Sequence, residues 1–247
     1  MFYFEKINGK SVMKSDLLKG LTHFFTTRES IIKTKEPEFE NLVNENKKMF
    51  AEILNIQPEN LITPSQTHST NIETAQIGKI DYPECDGLIL NNTEQAVFLN
   101  FADCTPLVFF DKENNIAAVS HAGWRGTAGQ IGVKTIQKMV KEFNSKPENI
   151  LAAIGPAISK CCYNVQEDVL NQLVQTVENK KDVYEIRNEE IFVDLKEINR
   201  RQLIQCGVRE IDVCPYCTVC ANDKFFSYRK EHATTNRHSA LVCLKNF

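Results

Sequence analysis

Four short apolar runs crowd into the stretch between residues 87 and 120, and this constrains the fold more than anything else in the chain. They are Gly87–Leu90, Ala96–Phe101, Leu107–Asp111 and Ile116–Ser120. Runs this short, rich in Val, Ile and Phe and separated by turn residues, read as β-strands. Connectors such as Lys112–Asn115 hold no helix. The runs are therefore expected to form hairpins in an antiparallel or mixed sheet, and a strict alternation of strand and helix is excluded.

The rest of the chain adds strands and helices around this cluster. Phe2–Ile7, Leu21–Thr27, Ile150–Ile154, Lys224–Arg229 and Ser239–Leu244 also read as strands. The Lys-, Glu- and Asn-rich stretch 28–48 leads into a helix whose apolar face carries Phe39, Leu42, Val43, Phe50, Ile53 and Leu54. A second helix is expected over Gly126–Phe143, with Pro147 beyond its end. For a third, Asp194 is the N-cap, Glu197 sits three residues on, and Gly207 follows the last turn. With no repeat, linker or low-complexity tract, residues 1–247 read as one domain of the α+β class, with more than one sheet layer.

Bulk properties exclude several functions. A chain of 247 residues with 42% hydrophobic and 25% charged residues can bury a sizeable core. The net charge is −3 and the basic residues are scattered, so no nucleic-acid partner is expected. No apolar run approaches the roughly 18 residues a membrane helix needs, and the N-terminus lacks a signal-peptide pattern. Nine cysteines is an odd number, and Cys161 and Cys162 are adjacent. That suits a disulfide framework poorly and points to a reducing cytoplasm, with thiols free or on metal.

Three residues combine into a candidate centre. His68 lies in the loop Thr63-Pro-Ser-Gln-Thr-His68-Ser, Cys104 in Ala102-Asp-Cys104-Thr-Pro106 after an apolar run, and His121 at the end of Ile116–His121. Gly123 and Gly126 follow, allowing a tight turn and close approach to a ligand. Two imidazoles and one thiolate suit Zn²⁺, and three protein ligands leave the fourth position open, the catalytic pattern. Zinc in such a site lowers the pKa of water to about 7, and nucleoside deaminases use a His/Cys zinc set. The same residues allow a metal-free alternative, with Cys104 as nucleophile and His121 as base; spacing does not separate the two. A second pattern, Cys214-Pro-Tyr-Cys217-Thr-Val-Cys220, has spacing that could seed zinc or an iron–sulfur cluster. Its fourth ligand would have to be Cys206, Cys243 or a histidine, so no second metal is expected. Arg28 and Arg229, each near a strand end, are candidates to grip an anion.

These segments together resemble the YfiH-like laccase-domain, or polyphenol oxidase, family, whose members are also described as purine nucleoside phosphorylases. The matching stretches are Phe24–Arg28, Gln66–Ser69, Asp86-Gly-Leu, Ala102–Leu107, Ser120–Gly126, Ile154–Ile158, Cys217-Thr and Phe225–Arg229. The resemblance implies a layered α/β sandwich with mixed sheets, shared with cysteine-hydrolase-like toxins that deamidate glutamine. It implies metal ligands at His68, Cys104 and His121, with one Zn²⁺ per chain and Cu²⁺ as the alternative. The implied activity is phosphorolysis of adenosine, inosine and methylthioadenosine with adenosine deamination; copper-dependent phenol oxidation is also attached to the family. Cys104, His121 and Asp103 become the expected catalytic residues, and Arg28, Gln66, Arg125 and Arg229 the expected substrate contacts. Five histidines do not supply a multicopper cluster. The sequence departs from the family pattern at Arg28-Glu-Ser-Ile, where relatives carry glycines, and at Thr235-Asn-Arg237, where they read Thr-Gly-Arg.

Overall fold

A computed structural model describes residues 1–245. The chain opens with strands β1 (Phe2–Ile7), β2 (Lys10–Ser15) and β3 (Thr22–Thr26), then helix α1 (Glu40–Leu54). There follow β4 (Leu61–Ile62), β5 (Ile72–Thr74), β6 (Gly87–Leu90), β7 (Ala96–Phe101), β8 (Thr105–Asp111) and β9 (Ile116–Ala122). Helices α2 (Trp124–Ala128) and α3 (Ile131–Phe143) lead to β10 (Ile150–Ile154), β11 (Asn164–Val165) and α4 (Glu167–Val174). The chain continues through β12 (Tyr184–Arg187), β13 (Glu190–Val193), α5 (Leu195–Gln205), β14 (Glu210–Val213) and β15 (His238–Cys243).

Two mixed six-stranded sheets form the body, in the orders β1-β2-β3-β15-β7-β4 and β14-β10-β8-β9-β6-β5; β11-β13-β12 make a small third sheet. The edge pairs β4–β7, β5–β6 and β10–β14 are parallel and the remaining pairs antiparallel. Side chains alternate between two separate cores along each central strand. On β8, Val108 and Phe110 point into a cluster shared with Met13, Phe25, Val97 and Leu99 of the other sheet. Leu107 and Phe109 point the opposite way, onto Ile131, Ile136 and Met139 of α3 and Leu203 of α5. On the first sheet, Phe98 and Leu241 turn outward to Phe50 of α1. The order of layers is thus α1, sheet, sheet, α3 with α5. Burial on both faces is why the central strands read as unbroken apolar runs instead of alternating ones. Phe110 is fully buried between the sheets. Phe110→Ala should lower unfolding stability by about 3–5 kcal/mol, measured by denaturant titration; a loss below about 1 kcal/mol would contradict this packing.

Three expectations need correction. Only β8 and β9 form a hairpin within the 87–120 cluster. The connections β6 to β7 and β7 to β8 instead cross between the sheets. The helix expected over Gly126–Phe143 begins at Trp124 and is broken, because Gln130 takes a left-handed conformation (φ 56°). A Cβ on Gly129 at that break would lie 2.5 Å from Thr70 Cγ2, so a bulkier residue does not fit. Lys224–Arg229 is not a strand. Phe225 and Phe226 are buried, but the neighbouring amides of Ser227 and Arg229 donate to the carboxylates of Glu231 and Asp103, not to a ladder. The α5 reading holds: Asp194 Oδ1 accepts from the Glu197 amide at 3.0 Å, and Gly207 has φ 102°. No helix among the described residues is long and apolar enough to cross a membrane.

Candidate metal centre

The three candidate ligands gather at one end of the sandwich, where the chain passes from sheet to sheet. His68 lies on the crossing from β4 to β5, Cys104 on the crossing from β7 to β8, and His121 near the end of β9. Their donor atoms all lie within 4.8 Å of one another. Cys104 Sγ is 3.9 Å from His68 Nε2, and the two imidazole rings meet edge-on with centroids 4.9 Å apart.

Asp86, on the segment entering β6, organises this centre. Its buried carboxylate accepts from the backbone N–H groups of Thr67 (3.0 Å), His68 (3.1 Å) and Ser69 (2.7 Å) and from the Ser69 hydroxyl (2.8 Å). Those bonds hold the loop at His68, whose φ of 62° is left-handed. The same carboxylate lies 2.8 Å from His121 Nδ1, leaving Nε2 to face the other ligands. A carboxylate behind a ligating imidazole fixes its tautomer and direction and raises its basicity. Burial pushes Asp86 up, yet hydrogen bonds from His121 and Ser69 and the charge of His121 hold it down to about 2.

Without metal, Cys104 and His121 each favour the charged form of the other. Burial opposes charge on both, but the charge of His121 and hydrogen bonds from both imidazoles bring Cys104 down to about 6. The thiolate and Asp86 in turn raise His121 to about 9. The donor set fits one zinc: two imidazoles, a thiolate inclined to ionise, and a carboxylate behind one imidazole. Gly123 is part of the fit, since a Cβ there would lie 3.0 Å from Cys104 Sγ and 3.1 Å from His68 Cδ2. His68, Cys104 and His121 would hold the ion.

The ligands open into a cavity of about 820 Å³, a size suited to a small-molecule ligand. Of the expected substrate contacts, Gln66 and Arg229 line it, as does Asp103. Gln66 is tied at both ends of its amide to the Asn100 backbone (2.9 and 2.8 Å). Asp103 binds the Thr218 hydroxyl (2.6 Å) and the Arg229 amide (2.7 Å), so its carboxylate shapes the wall. The Arg229 guanidinium bonds to Asn164. Arg28 and Arg125 are not among the lining residues. Arg28 pairs with Glu231 at 3.1 Å and stacks on Phe226, while exposed Arg125 stacks on Trp124.

Sequence reasoning missed Asp86 as a site residue and missed four further lining groups: Lys33, Lys35, Tyr163 and Arg237. Of the two segments that depart from the family pattern, Thr235-Asn-Arg237 borders the cavity through Thr235 and Arg237, whereas Arg28-Glu-Ser-Ile does not; Lys33–Lys35, just beyond it, does. The available signal for Arg237 was a basic residue immediately before a buried strand. The remaining histidines are elsewhere: His23 is held by Ser15 and Leu21, His238 is buried between Phe101 and Phe225, and His232 is exposed. Burial keeps His23 and His238 neutral, at about 4 and about 3. Two histidines at one centre do not make a multicopper cluster.

Residues 32–245 match the family model described as multi-copper polyphenol oxidoreductase laccase. The chain is 34% identical over 210 residues to purine nucleoside phosphorylase YlmD of Geobacillus stearothermophilus, covering 80% of this chain and 77% of that one. Over 191 residues it is 31% identical to adenosine deaminase RL5 from an unknown prokaryotic organism, with 72% of each covered. The crystal structure of YlmD from Geobacillus stearothermophilus superposes with a TM-score of 0.89 at 27% identity, covering 98% of this chain and 99% of that one. That of the Bacillus licheniformis hypothetical protein YfiH gives 0.88 at the same identity and coverage. With a family model spanning most of its length and the same layered fold in these neighbours, the chain belongs to the laccase-like YfiH family.

Proposed function

We propose that this protein is a zinc-dependent purine nucleoside phosphorylase acting on adenosine, inosine and methylthioadenosine, with adenosine deaminase activity as a second output of the same site. The observation that carries the proposal is a His/Cys/His donor set opening into a nucleoside-sized cavity bordered by cations. The relatives named purine nucleoside phosphorylase and adenosine deaminase support both reactions. Bound at His68, Cys104 and His121, zinc supplies Lewis acidity where the substrate is attacked. Phosphorolysis breaks the bond from ribose C1′ to the purine and forms one to a phosphate oxygen; deamination replaces the purine C6 amine with oxygen from water. Tyr163 and Tyr228 offer aromatic surface to a base, and Lys33, Lys35, Arg229 and Arg237 offer positive charge to phosphate. The partners in this reading are small molecules, with no nucleic-acid or membrane partner, and we place the enzyme in the cytoplasm.

The test is product analysis with adenosine, with and without phosphate. Adenine and ribose 1-phosphate should appear only with phosphate, and inosine in either condition; adenosine recovered intact would defeat the proposal. Arg237 is the cation to vary. Its guanidinium is held by the Thr234 and Asn236 carbonyls at the cavity wall, and the Cys104 charge is among those that act on it. Arg237→Met should raise KM for phosphate about tenfold, the loss of one charge-assisted contact of about 1.4 kcal/mol. KM for adenosine should change little; an equal rise in both would place Arg237 outside the phosphate site.

A second reading has a specific observation behind it. The Cys104–His121–Asp86 series has the low thiol and supported imidazole of a cysteine nucleophile and its base. His68 argues for the metal reading, since a second imidazole beside the thiolate adds a third ligand that an amidase does not need.

A further inference from the structure

We propose that the chain carries a second metal site, a closed four-thiolate zinc centre made by Cys161, Cys162, Cys217 and Cys220. The Sγ atoms of these four residues lie within 4.8 Å of one another. Cys220 Sγ is 3.7 Å from Cys161 Sγ and 3.5 Å from Cys162 Sγ. Tetrahedral zinc with Zn–S bonds of about 2.3 Å holds its sulfurs about 3.8 Å apart. The two closest approaches therefore match the edge of a ZnS₄ tetrahedron, and all four sulfurs lie within 4.8 Å of one another. This spacing is far beyond the disulfide S–S length of about 2.05 Å, and it leaves no room for the iron atoms of a four-iron cube between the sulfurs.

The ligand set differs from the one the sequence suggests. Cys214, the first cysteine of the C-x-x-C-x-x-C string, is buried in the core beside Met13, 3.7 Å from its sulfur, and takes no part. The missing partners are the adjacent pair Cys161-Cys162, brought in from the loop between β10 and β11. A bridge from Ala157 to Cys217 and the Thr218 amide bond to Ala157 O (3.1 Å) fix the approach of the two segments. The Ser159 amide donates to Cys217 Sγ at 3.4 Å, the kind of contact that steadies a metal-bound thiolate. Four protein ligands close the coordination sphere, so this zinc is structural. It joins the segment bearing Ile158 and Tyr163 to the one bearing Tyr228 and Arg229, and all four residues line the cavity. The centre thus fastens one wall of the cavity from behind.

Metal analysis of the full-length protein, purified with reductant and zinc, tests this without using activity. The parent should hold about two zinc ions per chain and Cys104→Ala about one. Cobalt-loaded Cys104→Ala should show the intense sulfur-to-metal absorption of an all-thiolate site. Cys161→Ser/Cys220→Ser should also hold about one, at the His68 centre. In Cys104→Ala, whose four clustered cysteines are intact, no zinc at all would overturn the proposal. Iron with sulfide, or a mass two hydrogens low with the clustered thiols unreactive, would do the same. A parent with one zinc that survives Cys104→Ala would support this site while removing the His68 centre, so the two claims fail separately.

Discussion

Cys104→Ala should abolish nucleoside turnover, by at least about 10²-fold, or about 2.7 kcal/mol of transition-state stabilisation. The change removes the one thiolate of the His68–Cys104–His121 set and leaves two imidazoles. Two neutral ligands hold zinc weakly, so the ion should leave with the thiol. The protein itself should stay folded, because Cys104 lies at the cavity wall on a crossing between sheets, only partly buried against the edge of the core, and Ala keeps its Cβ. Circular dichroism and a thermal melt close to those of the parent would separate loss of metal from loss of fold. Cys104→Ser is the sharper companion: it keeps the size but offers a hydroxyl that does not ionise near neutral pH, and it should fail nearly as badly. Full turnover in either variant would remove Cys104 from the chemistry, whether as ligand or as nucleophile.

The second large effect is expected at Asp86, and it should appear in stability as well as in metal affinity. Asp86→Ala strands the buried His121 N–H and takes the acceptor from three part-buried loop amides. Removing one partner of a buried hydrogen-bonded charge costs about 3–5 kcal/mol. Asp86→Asn is milder for the fold, yet its neutral amide no longer supports His121, and zinc affinity should fall about 10–100-fold. The pH dependence follows from the direction of the shift. With the folded-state value held down to about 2, below the ordinary carboxylate value of about 3.9, this carboxylate lends its full stability above that ordinary value. The contribution is lost as pH falls through the folded value. The parent should therefore lose stability below about pH 4 more steeply than Asp86→Asn. Parallel acid-unfolding curves would show that Asp86 does not hold the His68 loop.

Much of the architecture was legible because its signal was strong and local. Gly87–Leu90, Ala96–Phe101 and Ile150–Ile154 are strands with the boundaries their apolar runs suggest. Which sheet each strand joins was not legible. That choice depends on packing between α1 on one side and α3 with α5 on the other, and no pairing is written in a single run. Lys10–Ser15 escaped notice because its polar residues outweigh Val12 and Met13. Lys224–Arg229 misled because two buried phenylalanines imitate a strand where side-chain carboxylates satisfy the backbone. At the site, His68, Cys104 and His121 stood out by residue type and position after apolar runs. Asp86 did not, since a lone Asp before a strand looks like a turn residue until the loop is seen wrapped around it. The cysteine cluster was hidden by sequence distance: Cys161-Cys162 and Cys217-x-x-Cys220 meet only through the bridge at Ala157. Arg28 and Arg125 were expected as substrate contacts; both lie outside the cavity lining and have local partners that sequence spacing does not reveal.

The most direct measurement is turnover of adenosine with phosphate by chelator-stripped protein, before and after zinc is added back, alongside His68→Ala treated the same way. Stripped parent should be at least about 10²-fold slower than loaded parent. Zinc should restore the parent and not His68→Ala. An undiminished rate in the stripped parent, its metal content verified as nil, would contradict a catalytic metal and leave Cys104 and His121 to act without one.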